Sequence, residues 1–404
     1  MSPRPSHRLA LTACVLAVSI VFATCALGGC AAPETTAAPK PAAVTTVPAR
    51  APLTAVTLAE SSAKDSYPVP AVATTRDGTI VVAYDDRHGN PRDLPNNIDI
   101  VTRRSPDNGI SWTPQTVIVR HTGGNTPNTA GGVGDPSLLP DHITGRLWLF
   151  YDWAPPGVGI FTSTTSTSPA SVTTVHPMVR YSDDDGATWS TPVDLIGQLK
   201  RPNMTGIFAS SGHGFQTTNG TLLQPYSYFI GGIERAAVAY STDHGRTWHM
   251  SQEIGEHLSE SKIVELSDGT LLDDARPNSP GYRKFSHTTC ITCRWSTPAA
   301  QTAIPDPVVN GDLIRVENHP TWLLESNPDS QRLRARLTVR LSTDNGKTWR
   351  YSLPITGGPS SYSVLTEMPD GDYAIVYYGQ RELVFQRFAL DQLTGPLPVK
   401  PKTA

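Results

Sequence analysis

The sequence predicts an all-β protein, a six-bladed β-propeller in which each blade is a four-stranded antiparallel sheet. Three observations carry this: a recurring turn pattern, short β-rich segments before each copy, and no long stretch with helical periodicity. The pattern is Ser-x-Asp-x-Gly-x-Thr/Ser-Trp, and four copies start at Ser105, Ser182, Ser241 and Ser342. Ser and Asp side chains bond neighbouring backbone N–H groups, Gly accepts a positive φ, and Trp packs back on the sheet. Each copy therefore reads as the turn of a hairpin, and repetition at this scale implies an array of similar units.

The last interval between copies is the longest, and it contains a degenerate fifth copy. Ser286 to Trp295 keeps the opening Ser and the Trp but has Cys290 and Cys293 in place of the Asp and Gly. Blades of known propellers take about 40 to 50 residues, and the chain beyond its leader has room for about six with long loops. The segments Thr79–Tyr84, Leu147–Tyr151, Tyr373–Tyr378 and Leu383–Phe388 are apolar and β-branched or aromatic, as strands require.

Residues 1–29 read as an export signal. Arg4 and Arg8 precede an apolar run from Leu9 to Leu27, followed by Gly28-Gly29-Cys30. Leu-Gly-Gly-Cys resembles a lipobox, so Cys30 is expected to be lipid-modified and to anchor the mature chain on the outer face of the cell membrane. Residues 30–55 are rich in Ala, Pro and Thr, a composition that buries no core and suits a tether. One domain is expected over 56–404. The net charge of −3 and the absence of a basic run exclude nucleic acid as a natural partner. Of five cysteines, only Cys290 and Cys293 remain once the leader and Cys30 are set aside. In an oxidising compartment a disulfide is the expected state of that pair. A zinc site would need a second Cys/His pair, which His287 alone does not supply.

Several strings bear on chemistry: Tyr84-Asp-Asp-Arg87 running on to Asp93, Gly134-Asp135-Pro-Ser, Phe208 to Gly214, and His257-Leu-Ser-Glu260. Gly269 to Arg276, Asn310-Gly-Asp, Arg334 to Arg340, and Pro359-Ser-Ser-Tyr362 complete them. Together with the turn pattern, known as the Asp box, they resemble the bacterial sialidases from about Tyr67 to Phe388. These glycosidases remove terminal sialic acid and are six-bladed propellers.

The resemblance implies roles. Sialic acid is a 2-keto acid sugar whose anomeric carbon bears a carboxylate, and arginine forks pair bidentately with carboxylates. Arg276 and Arg340 match two of the family's three clamp arginines. A carboxylate nucleophile would be repelled by that substrate, and sialidases use tyrosine instead. Tyr362 matches the nucleophile and Glu260 the base that a phenol needs. Asp93 matches the general acid, with Arg87 contacting it or the sugar ring. Asp85 and Asp86 compete for the acid's role. Asp135 and Asn310 are expected to line the pocket, and neither metal nor organic cofactor is required.

The pattern breaks at one place. Pro68 stands where the first clamp arginine is expected, and Tyr378 where a glutamate should brace it. The nucleophile, base and acid persist. A retaining exo-sialidase, with a substrate that is sialic acid or a related ulosonic acid such as Kdn, is therefore the first expectation, and a monomer the expected state. A non-catalytic glycan-binding propeller is the alternative.

Overall fold

A computed structural model describes residues 55–395 apart from Asn125 and Pro127. The leader, Cys30 and the tether up to residue 54 lie outside the described residues. The described chain forms six antiparallel sheets that follow one another along the sequence as six blades, so the predicted propeller is the observed fold. The two α-helices described are single turns, Ile196–Leu199 and Leu390–Thr394.

Alternation along each strand explains how the blades stack. In the first blade, Val72, Ile80, Val82 and Tyr84 pack against Val364, Val376 and Phe385 of the sixth. Their neighbours Ala71, Ala73, Val81 and Ala83 pack against Val133, Leu138 and Leu149 of the second. Successive side chains point to opposite faces of a strand, so each sheet is buried on both sides.

The ring closes through its ends. The strand Ala55–Glu60 pairs with Glu382–Phe388 and becomes the outer strand of the sixth blade. That blade consequently has no hairpin between its third and fourth strands, and no Asp box. In the other five the box or its substitute fills that turn. Ser241 Oγ accepts the Gly245 N–H at 2.8 Å and donates to Asp243 Oδ1 at 2.8 Å. Asp243 in turn accepts the N–H and hydroxyl of Thr247 at 3.0 and 2.7 Å. Burial opposes it, but these donors hold the Asp243 carboxyl down to about 2. His244 and Gly245 take φ of 56° and 81°, the left-handed pair that a tight hairpin demands. At the fifth turn Cys290 and Cys293 are joined in a disulfide, and Thr288 Oγ1 donates to the carbonyls of Cys290 and Arg294. Trp295 keeps its place in the core, 6 % exposed.

Candidate active site

The innermost strands run in the same direction in every blade, so their starts converge on one mouth of the ring. There stand Asp135, Glu260 and Tyr362, at or just before the starts of Val133–Pro140, Leu258–Glu265 and Ser363–Glu367. The second strands run the other way and deliver their ends to the same mouth. They bring Asp85 and Arg87 on Ile80–His88, Asp152 on Leu147–Trp153, Arg276 on Leu271–Pro277 and Tyr378 on Tyr373–Tyr378.

At the centre the Tyr362 hydroxyl donates to Glu260 Oε2 at 2.6 Å. Arg276 Nη1 donates to the same carboxylate oxygen at 2.6 Å and to the phenol oxygen at 3.0 Å. The other oxygen of Glu260 accepts from Ser211 Oγ at 2.8 Å and Asn310 Nδ2 at 3.1 Å. Glu260 is 1 % exposed, so these bonds replace the water it loses. Burial raises the Tyr362 phenol well above its ordinary pKa and the Glu260 carboxylate pushes the same way, while Arg276 opposes them. The hydroxyl therefore rests protonated, with its acceptor already in hydrogen-bond contact.

Ser211 and Lys262 were not singled out in the sequence. Lys262 is fully buried and its Nζ donates to Asn310 Oδ1 at 3.0 Å and to the Ser211 carbonyl at 2.8 Å, with burial lowering its pKa. Period-two alternation from Glu260 along the same strand was the available signal. Ser211 is set by a break in the third blade's inner strand, where Gly212–His213 leaves its own sheet and pairs in parallel with Ser137–Leu138. Asn310 was expected to line the pocket. It lies one layer lower, 1 % exposed beneath Glu260.

A second group gathers on the first two blades. Arg87 donates from Nε and Nη2 to Asp85 Oδ2 at 3.0 and 2.8 Å, and its Nη2 lies 2.6 Å from Asp93 Oδ1. Burial pushes the Asp85 carboxyl up to about 7 despite Arg87. Burial likewise raises Asp135 well above the carboxylate range, helped by Asp85, Glu260 and Asp93, and φ at Asp135 is 55°. Asp152 is fully buried with the Ala209 N–H on both its oxygens at 3.2 Å, and burial, then Asp135, raises it too. Asp93, matched to the general acid, is not sheltered: its side chain is 85 % exposed, on a loop at the rim. Asp86 faces away, on the other side of the strand that carries Asp85.

Arg340 is 5 % exposed and committed to protein acceptors. It donates to Glu325 Oε2 at 3.0 Å, Asn327 Oδ1 at 2.6 Å and Asp329 Oδ1 at 2.8 Å. Its sheet is linked to the strand that follows Tyr362, where Ser326 Oγ meets Ser363 Oγ at 2.9 Å. Arg276 Nε, by contrast, is buried with no hydrogen-bond partner.

At the break in the pattern, Tyr67-Pro68-Val69-Pro70 splits the first blade's inner strand into Asp65–Ser66 and Ala71–Thr74. Pro68 and Pro70 have no N–H to give the ladder, and Val69 takes φ of 59°, unusual for a β-branched residue. The Tyr378 hydroxyl meets Ser61 Oγ at 3.1 Å and Ser66 Oγ at 3.4 Å. The cluster is neutral at the place where the resemblance leads one to expect a charged pair.

Residues 78–375 match the BNR repeat-like domain family. The chain is 34 % identical over 343 residues to a sialidase of Micromonospora viridifaciens, covering 82 % of this chain and 52 % of that protein. It is 28 % identical over 325 residues to a sialidase of Bacteroides fragilis, covering 77 % and 60 %. It thus spans about half to three-fifths of the length of these relatives. Among solved structures, the Hadza microbial sialidase Hz136 superposes with a TM-score of 0.75 at 30 % identity, over 81 % of this chain and 66 % of the other. The chain belongs to the sialidase family of BNR-repeat propellers.

Proposed function

We propose that this chain is a retaining exo-glycosidase that releases terminal sialic acid, or a related ulosonic acid such as Kdn, from glycoconjugates. The observation that carries the reading is the contact between Tyr362, Glu260 and Arg276 in the mouth of the ring. As the phenol oxygen attacks the anomeric carbon, Glu260 Oε2 takes its proton and the Arg276 guanidinium faces the charge that develops on oxygen. Asp93 protonates the departing glycosidic oxygen. Water, deprotonated by Asp93, then resolves the tyrosyl glycoside, so configuration is retained.

The substrate carboxylate meets the Arg276 guanidinium, whose side chain keeps 17 % exposure at the mouth, with Arg340 in support. The buried acids Asp85, Asp135 and Asp152 have raised pKa values, and their protonated forms limit the negative field that would repel an anionic sugar. Without an arginine at position 68 the clamp lacks one charged contact, worth about 1.5–3 kcal/mol. A lipid anchor at Cys30 would hold the enzyme at the outer membrane face, where such glycans are met.

Release of the fluorophore from sialic acid and Kdn ketosides, with Tyr362→Phe as the comparison, tests the reading. The wild-type chain turns over at least one of the two, and the variant loses that turnover. Saturable binding of sialylated glycans with no turnover by the wild-type chain would replace the enzyme with a lectin.

A further inference from the structure

A cluster of titratable side chains lies on the first blade, outside the catalytic mouth. Asp86 and His88 alternate with Asp85 and Arg87 along Ile80–His88, and so point to the opposite face of the strand. Asp99 stands directly across the ladder from Asp86. Two carboxylates in opposed positions of an antiparallel pair repel one another. Asp65 and His121 complete the group. His88 Nδ1 is 3.2 Å from Asp65 Oδ1, its Nε2 is 3.3 Å from Asp99 Oδ2, and His121 Nδ1 is 2.6 Å from Asp99 Oδ1.

The group as it stands is short of positive charge. Arg120 is the nearest permanent cation, with Nη1 3.9 Å from Asp99 Oδ2, but its side chain is 76 % exposed. Asp86 Oδ1 is a buried atom with no hydrogen-bond partner, and His88 Nε2 is buried with Asp99 Oδ2 3.3 Å away. When His88 Nδ1 carries its proton toward Asp65, the lone pair of Nε2 faces the Asp99 carboxylate. A cation between them would turn that repulsion into coordination.

We propose that His88 Nε2, Asp99 and His121 form a binding site for a divalent transition-metal ion of the zinc class. One ligand atom from each lies within 4.8 Å of the others. Donors at about 2.0–2.1 Å from a tetrahedral ion sit roughly 3.3 Å apart, which is the spacing of His88 Nε2 and Asp99 Oδ2, and His121 Nδ1 reaches the ion by leaving its 2.6 Å contact with Asp99 Oδ1. Two imidazoles and a carboxylate select such an ion over calcium or magnesium, which prefer all-oxygen shells. Asp65 takes the outer position, accepting the other ring N–H of His88 and fixing its tautomer. An ion can enter from a neighbouring cavity of about 400 Å³ lined by His88, Gly89, Asn96, Thr126 and Ala130. The bound ion would tie the strand under Asp85 and Arg87 to the chain at His121.

Calorimetric titration of the full chain, stripped with chelator, with zinc chloride tests the proposal. One equivalent binds, magnesium and calcium do not compete, and the melting temperature rises with zinc. His121→Gln and His88→Gln each weaken binding at least tenfold, while His249→Ala, at an exposed site elsewhere, leaves it unchanged. Asp65→Asn, which keeps the side chain's shape, weakens it about ten- to a hundredfold. Cobalt bound in place of zinc gives the intense visible absorption of a tetrahedral site, and His121→Gln removes it. Absence of binding at millimolar zinc, or binding that both histidine variants leave intact, overturns the site. A doubly hydrogen-bonded His88 imidazolium would then be the cluster's cation.

Discussion

The hydroxyl of Tyr362 donates to Glu260 Oε2 at 2.6 Å, while the other oxygen of Glu260 is held by Ser211 and Asn310. The acid is thus clamped on one side and open to the phenol on the other, the arrangement of a base aimed at one proton. Glu260→Gln keeps the shape and removes the base, and it lowers kcat by about 10²- to 10⁴-fold. The same change removes the charge that helps raise the phenol's pKa. A spectrophotometric titration should therefore show one tyrosine ionising at lower pH than in the wild-type chain. Unchanged kcat would deny Glu260 its role.

Asp93 and Asp135 both stand near Arg87, and their environments differ. Asp93 is exposed at the rim, whereas burial and then the neighbouring acids raise the Asp135 carboxyl. An acid is needed only when the leaving group is poor. With Asp93→Asn, turnover of a natural sialoside falls by about 10²- to 10⁴-fold and turnover of an aryl sialoside with an acidic phenol falls far less. Asp135→Asn lowers both alike if Asp135 only shapes the pocket. The reverse pattern would move the acid to Asp135.

The neutral cluster of Tyr378, Ser61 and Ser66 makes the missing clamp arginine a reversible feature. Pro68→Arg with Tyr378→Glu restores both charges together and raises kcat/KM on sialic acid ketosides by about ten- to a hundredfold, as one charged hydrogen bond allows. Tyr378→Glu alone adds an acid with no partner and lowers the melting temperature. A double variant no better than the wild type on any ulosonic acid would show that the pocket is built for a two-arginine clamp.

The blade count and the strings that carry Tyr362, Glu260 and Arg276 were legible because each rests on contiguous sequence. The Asp boxes place bonds between residues two and four apart, and Tyr362, Glu260 and Arg276 each lie in a short string. Groups assembled across blades were not legible. Ser211 reaches Glu260 only because the third blade's inner strand breaks at Gly212, and Asp152 meets Asp135 only through the register of two strands of one blade, where Gly134 faces Asp152. The resemblance of its string to a family segment points Asn310 to the pocket, but the depth of a side chain depends on its neighbours. The exposure of Asp93 has the same cause. His88, Asp99 and His121 become neighbours through strand register, which no local pattern encodes.

Asp152 links stability to pH. Burial raises its folded-state pKa well above 3.8, so the folded chain holds this proton more tightly than the unfolded chain. Its contribution is complete below the unfolded pKa and is lost as pH rises toward the folded one. Asp152→Asn removes that loss. In urea unfolding between pH 5 and 8, the variant should gain on the wild type by about 1.4 kcal/mol per pH unit while the acid stays protonated in the fold. A constant difference across that range would mean that Asp152 titrates normally.

The Asp-box glycines separate backbone strain from packing. Gly186 and Gly245 occupy the same box position with φ of 75° and 81°, so a side chain meets the same left-handed backbone at both. That strain costs about 1–2 kcal/mol. Space differs sharply: a Cβ at Gly186 would come no closer than 3.3 Å to Val81, while one at Gly245 would lie 2.1 Å from Cζ2 of Trp148. Trp148 is 5 % exposed and stands edge-on to Trp248, so the ring has little room to withdraw. Gly186→Ala should therefore show the backbone cost with a small addition as Val81 gives way, and Gly245→Ala an additional 1–3 kcal/mol or so from overpacking. Equal losses in urea unfolding would mean that the box turn and not the Trp148 contact limits this position. A larger loss at Gly245 would establish that the box glycine is required by the neighbouring blade as well as by its own turn.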